Sequence, residues 1–309
     1  MKRSGVFQAP GSQDPGFFTF ALLFVFCISG CASVPGPEGY YADRKDPFAV
    51  LAPGADLYIG ADVEGARPIL DGLSLGSLGG AELSDFLDRS RSLSVAVYGG
   101  GPRRFLAAAF GKYPGGGGLF FGARGDWEKA RSASGIPYWR SEKRELSVYL
   151  NSARVFVSDG DPFVPPPGAE SPRELVPLKE GAVLSGWMEN PGPPLSRIAA
   201  ALGVPVEIPA ERLIFAVYPA DGRGEYRAVL RLETANPSRA GALARLFTFA
   251  KAALSESGPA VQSSGVQSLV RIFFTENPGL DGSAVVLKTG VLKSRDFALL
   301  FNTLTVYSR

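Results

Sequence analysis

One order of short alternating runs occurs twice along the chain, and this repetition restricts the possible folds more than any other feature. Gly54-Ala55-Asp56-Leu57-Tyr58-Ile59-Gly60 opens the first stretch, and Gly181-Ala182-Val183-Leu184-Ser185-Gly186 opens the second. Leu93 to Tyr98 (LSVAVY) and Leu213 to Tyr218 (LIFAVY) follow, sharing Ala-Val-Tyr at a separation of 120 residues. A glycine-bearing turn and a further strand candidate come after each.

The second stretch is the easier to read. From Glu225 to Glu233, Tyr226, Ala228, Leu230 and Leu232 alternate with Arg227, Arg231 and the two glutamates, the pattern of a half-buried antiparallel strand. Asn236 then supplies a helix N-cap and Pro237 the first helical position. Ala240, Leu243, Ala244, Phe247, Ala250 and Leu254 recur at helical spacing until Gly258-Pro259 stops the run.

Two strand candidates close each stretch. Leu146 to Leu150 and Arg154 to Val157 flank Asn151-Ser152, while Ser268 to Thr275 and Ala284 to Lys288 flank Asn277-Pro278-Gly279; both read as hairpins. A last helix is expected from Ser294, with Phe297, Leu300, Phe301 and Leu304 on one stripe. The recurring order of strand, helix, strand, strand, helix, strand predicts an α+β fold. It would be built of two duplicated ferredoxin-like (βαββαβ-type) halves, as antiparallel sheets with helices packed on one face. In the first copy the second helix is weak, because Gly115 to Gly118 costs about 1 kcal/mol per glycine relative to alanine in a helix interior.

Two composition shifts set the boundaries. Residues 31–52, with Pro35, Gly36, Pro37, Gly39 and Pro47, suit a tether, and the proline-rich run 159–177 suits a linker. The first half is placed at 53–158 and the second at 178–309. With 45% apolar residues the halves are rich enough to bury cores.

Missing residue types exclude much chemistry. There is no histidine, which removes Ser-His-Asp and Cys-His catalysis, histidine-ligated zinc and an imidazole switch. Both cysteines, Cys27 and Cys31, lie in the targeting segment, so the folded part has no disulfide, thiol nucleophile or thiolate metal site. No cofactor and no metal are expected. The 32 basic and 30 acidic residues nearly balance, which gives no electrostatic footprint for nucleic acid.

The N-terminal segment is an export signal by its layout. Lys2 and Arg3 are followed by the apolar run Phe17 to Phe26 (FFTFALLFVF), then at once by Ile28, Ser29, Gly30 and Cys31. A run of this length is about half of what a spanning helix needs, roughly 20 residues. Ile28-Ser29-Gly30-Cys31 resembles the lipobox of bacterial lipoproteins. By that resemblance residues 1–30 are a signal peptide, Ile28, Ser29 and Gly30 are read by the peptidase, and Cys31 is acylated and becomes the mature N-terminus. The resemblance covers residues 1–31 only. It implies membrane lipid, palmitate among its chains, as a partner through Cys31, and more than one acyl chain gives stable anchoring. Ala32 and Ser33 stand where an aspartate resembles an inner-membrane retention signal in enteric bacteria, so the outer membrane is expected.

Other candidates carry bland readings beside sharp ones. Gly99-Gly100-Gly101 and Gly115 to Gly118 fit neither a Walker loop nor a dinucleotide fingerprint and read as turns. Asp56, Asp62, Glu64 and Asp71 are candidate acid-base or calcium carboxylates, or solvated surface groups. Trp127, Trp139 and Trp187, with Tyr58, Tyr138 and Tyr218, line either a ligand groove or the core. Arg103, Arg104, Arg124, Lys129, Arg131, Arg140, Lys143 and Arg144 make the first half locally basic, facing lipid headgroups or simply interleaved with Asp126, Glu128, Glu142 and Glu145. Together these features predict an envelope lipoprotein acting as a non-catalytic binding or assembly module, with no nucleic acid partner and with an envelope protein as its further partner. The alternative is a carrier of a small or apolar ligand in the cleft between the halves.

Overall fold

A computed structural model describes residues 47–51, 54–72, 80–99, 105–114, 121–122, 125–163, 180–201, 206–256 and 275–298. The signal segment, Cys31, Gly100-Gly101, Gly115 to Gly118, most of the 159–177 linker, the strand candidate before Thr275 and the end of the last helix lie outside the described residues.

The described strands form one antiparallel sheet of 13 strands. In the first half these are β1 (Leu57–Asp62), β2 (Ser90–Val97), β3 (Phe105–Gly111), β4 (Glu128–Arg131), β5 (Pro137–Ser141), β6 (Leu146–Leu150) and β7 (Arg154–Ser158). In the second half they are β8 (Leu184–Glu189), β9 (Arg212–Pro219), β10 (Glu225–Glu233), β11 (Gly279–Asp281), β12 (Ala284–Lys288) and β13 (Leu292–Lys293). The spatial order is β11-β12-β10-β9-β8-β1-β2-β3-β7-β6-β5-β4, with β13 beside β10.

This corrects the expectation of two ferredoxin-like halves. In such a unit the first two strands are parallel and another strand inserts between them. Here β1 pairs directly and antiparallel with β2, with Asp62 opposite Ser92. Between them lie two helices, α1 (Val63–Gly72) and α2 (Gly80–Arg89), which carry the chain out and back to the same end of the sheet. Where a helix weakened by Gly115 to Gly118 is expected, the described residues Phe121 and Gly122 are helical, and a short hairpin, β4–β5, stands at the sheet edge.

The halves join because β1 and β8 pair with each other, Leu57 opposite Met188 through Ala61 opposite Leu184. The junction has local twofold symmetry. Asp56 N–H donates to Val97 O at 2.8 Å as Val183 N–H donates to Val217 O at 2.8 Å; Asp62 N–H donates to Val183 O at 2.9 Å as Glu189 N–H donates to Asp56 O at 2.7 Å. Gly54 and Gly181, which precede the two strands, share a left-handed backbone, with φ of 87° and 77°. The repeated Ala-Val-Tyr falls at the end of β2, with Tyr98 just past it, and within β9.

Register assigns the side chains to two faces. On one face α1 packs Ala66 and Ile69 over Ala61, Leu184, Val217 and Tyr226, so a helix of the first half lies across the junction. Toward β11, α4 (Pro237–Glu256) packs Leu243 and Ala244 on Leu232, Val285 and Leu287, beside Leu195 of α3 (Gly192–Ala201). Its N-cap is as expected, Arg239 N–H donating to Asn236 Oδ1 at 3.0 Å. On the opposite face Phe48 and Leu51, from the 3-10 turn Pro47–Val50 and the residue after it, cover Tyr58, Ala96 and Trp187. Among the described residues no helix is long and apolar enough to cross a membrane.

Local pairing also buries one phenol. Ser90 Oγ donates to Phe86 O at 2.8 Å, which leaves it to accept from the Tyr113 hydroxyl at 2.9 Å, while the Tyr113 ring stacks on Phe86. Burial pushes the Tyr113 ionisation well above its ordinary value, and the Ser90 contact offsets only part of this. The stability consequence has a definite sign. Above about pH 10 the unfolded chain loses this proton while the native chain keeps it, so stability is intact below that pH and falls as pH rises, by at most about 1.4 kcal/mol per pH unit. Tyr113→Phe is expected to cost about 1 kcal/mol at neutral pH and to flatten the decline above pH 10. Urea midpoints measured from pH 8 to 11 check this; an unaltered decline in the variant would assign it to other tyrosines.

Candidate functional site

The structure disperses the four candidate carboxylates. Asp56 accepts from Gly99 N–H at 2.6 Å and holds the end of β2 beside β1. Asp62 caps α1, accepting from Gly65 N–H at 3.1 Å. Glu64 lies exposed in the first turn of α1, and Asp71 pairs with Arg67 at 2.8 Å. Asp56 precedes β1 and Asp62 ends it, so the two stand roughly 20 Å apart along the strand. Cooperating glycosidase carboxylates stand about 5 to 9.5 Å apart. Among the described residues no three His, Cys, Asp or Glu side chains are grouped to hold a metal ion.

The aromatic candidates lie largely in the core. Trp187 is 4% exposed, stacks on Tyr58 with ring centroids 4.3 Å apart, and meets Phe48 at 5.1 Å. Trp127 packs on Phe121 at 4.9 Å. Trp139 is half-buried, stacked on Phe121 at 5.7 Å with Lys129 Nζ 5.4 Å from its ring centre. Tyr138 is buried, and burial raises its ionisation; Tyr218 is half-buried on β9. The junction, where a carrier would hold its ligand, is thus filled on the Trp187 side by rings and on the other by α1.

The basic candidates stay dispersed. Arg144 pairs with Asp126 at 2.6 Å and the Arg131 guanidinium donates to Gly135 O at 3.1 Å; Arg103, Arg104 and Arg124 lie outside the described residues. Arg140 joins Glu142, Glu145, Ser147 and Asp159 around a half-open depression of about 290 Å³ at the β5–β6 turn. Both signs of charge line it.

Sequence reading missed two features. One is the row of ion pairs on the second half, where Arg212 bridges Glu189 at 3.2 Å and Glu233 at 3.8 Å on its two neighbouring strands, and Arg231 pairs with Glu233 of its own strand at 3.2 Å and with Asp281 of β11. The alternation of Arg227 and Arg231 with apolar residues marked that face as solvated, but the partners Glu189 and Asp281, and Arg212 itself, come from other strands. The other is the β4–β5 hairpin, whose signal was Ser134-Gly135-Ile136-Pro137 between two charged runs.

No protein-family model matches the chain, and no curated protein matches it. The chain is similar to solved structures of TP0453. Crystal form III matches with a TM-score of 0.58 at 18% identity, over 86% of this chain and 99% of that one. Form IV matches at 0.57 and form I at 0.55, each at 18% identity. At that identity the likeness is one of fold.

Proposed function

We propose that this chain is a lipid-anchored envelope protein, held on the non-cytoplasmic side of a membrane by acylated Cys31, whose sheet acts as a non-catalytic binding or assembly module. The observation that carries the reading is Ile28-Ser29-Gly30-Cys31 at the end of the apolar run Phe17 to Phe26. Dispersed, structurally engaged carboxylates and a packed junction support a module that works through its surface. Ala32 and Ser33 favour the outer membrane. The 15 residues from Ala32 to Asp46 span at most about 50 Å, so the sheet works close to the bilayer.

Cys31→Ser tests the anchor. Wild-type protein extracted from membranes is expected to begin at Cys31 and to carry acyl mass, and the variant is expected to leave the membrane fraction. Intact mass spectrometry and fractionation read both. A wild-type chain that begins at Met1 without added mass, or a variant still fully membrane-bound, overturns the proposal. Mild crosslinking in native membranes followed by recovery of a reproducible partner tests the assembly role.

A further inference from the structure

Strand β4 ends the sheet, and among the described residues nothing pairs with its outer edge. The turn that follows decides which backbone groups face outward. Ser132 N–H donates to Ile136 O at 3.0 Å, Gly135 N–H donates to Ser132 O at 2.9 Å, and Gly135 has φ of 80°. This is a three-residue hairpin loop with a glycine bulge, which makes Ser132 and Ile136 a hydrogen-bonded pair. By alternation Ala130–Tyr138 and Glu128–Arg140 are the bonded pairs inward. The amides and carbonyls of Lys129 and Arg131 therefore point away from the sheet. Pro137, opposite Arg131, fits this assignment because a non-bonded position needs no N–H.

Charge on this edge selects what can pair with it. Lys129 and Arg131 are both exposed and share one face. A second copy adding antiparallel in the register that uses both residues would set Lys129 against Arg131 twice, and pairing Lys129 with Lys129 or Arg131 with Arg131 is no better. Like charges directly opposite destabilise a strand pair. The edge thus repels itself, as protected edges do, yet it retains two outward sets of hydrogen-bonding groups.

We infer that the β4 edge receives an extended acidic segment of a partner protein, added as an outer strand with carboxylates at alternate positions opposite Lys129 and Arg131. Main-chain bonds would supply affinity, and the two cations would supply selectivity. The inference gives the assembly role a surface and rests on that reading.

The probe is a ten-residue peptide of alternating threonine and glutamate, with a threonine–lysine peptide as its counterpart, added to the full chain in non-ionic detergent. Expected results are slowed hydrogen exchange at the Lys129 and Arg131 amides with the acidic peptide, and binding at least about tenfold weaker for the basic one. The Lys129→Glu/Arg131→Glu double variant should reverse that preference. Lys129→Pro, which removes an outward N–H and no ladder bond, should weaken the acidic peptide with the circular dichroism spectrum unchanged. If Lys129→Pro fails to fold, the charge reversal alone decides. No amide protection, or a preference that the double variant leaves unreversed, overturns the inference. Membrane fractionation of Cys31→Ser is blind to this edge, so the two proposals fail separately.

Discussion

Trp187→Ala is expected to lower the unfolding free energy by about 3 to 5 kcal/mol, the range for losing a large aromatic from a core. Trp187 lies on β8, directly opposite Tyr58 of β1, and is 4% exposed. Its ring stacks on Tyr58 and meets Phe48, so one side chain ties the second half to the first strand and its cover. Removing it leaves a cavity at the junction that neither strand can close without losing its register. Against a typical total of 5 to 15 kcal/mol, the loss consumes a large part of the stability. Urea unfolding followed by tryptophan fluorescence and far-ultraviolet circular dichroism measures it. Coincident transitions are expected, because the packed clusters on both faces cross the junction. Trp187→Phe should recover most of the loss. A cost below about 1 kcal/mol would show that the ring cluster does not join the halves.

Gly186→Ala is expected to be comparably damaging for the opposite reason. A Cβ at Gly186 would lie 2.0 Å from the carbonyl oxygen of Tyr58 and 2.8 Å from the Phe215 ring. The first of these is backbone in the β1–β8 ladder and cannot swing aside. Relief requires β1 and β8 to move apart, which breaks hydrogen bonds along the junction, so the cost should reach about 3 kcal/mol, the upper end for overpacking. Gly60→Ala is the matched comparison. The three atoms nearest its Cβ would all belong to the ring of Phe48, the first at 2.5 Å, and a side chain on the cover can shift where a ladder cannot. Chemical denaturation of both variants is expected to rank Gly186→Ala as the worse. The reverse ranking would mean that the junction tolerates a wider spacing between β1 and β8.

Much of the local structure was legible in the residue order. Alternation at Glu225 to Glu233 placed Tyr226, Ala228, Leu230 and Leu232 on one face, and α4 packs on Leu232 there. Asn236 and Pro237 marked the start of α4, and Asn151-Ser152 marked the β6–β7 hairpin, where Ala153 N–H donates to Asn151 Oδ1 at 2.9 Å. Asp62, weighed as a catalytic group, is an N-cap, and Trp187, weighed as a ligand-groove residue, is a junction residue.

What the residue order determined by itself is what depends on near neighbours: two- and three-to-four-residue periodicity, caps, turn glycines, the lipobox-like run at Cys31, and the chemistry that absent histidine rules out. What only the tertiary structure decided is which strand edges meet. Strands pair through backbone groups that every residue shares, so nothing in LYIGAD or LSGWME announces that β1 and β8 lie side by side and join two expected sheets into one. The same indifference hid the outward amides of Lys129 and Arg131, because a turn three residues away set the parity of their hydrogen bonds.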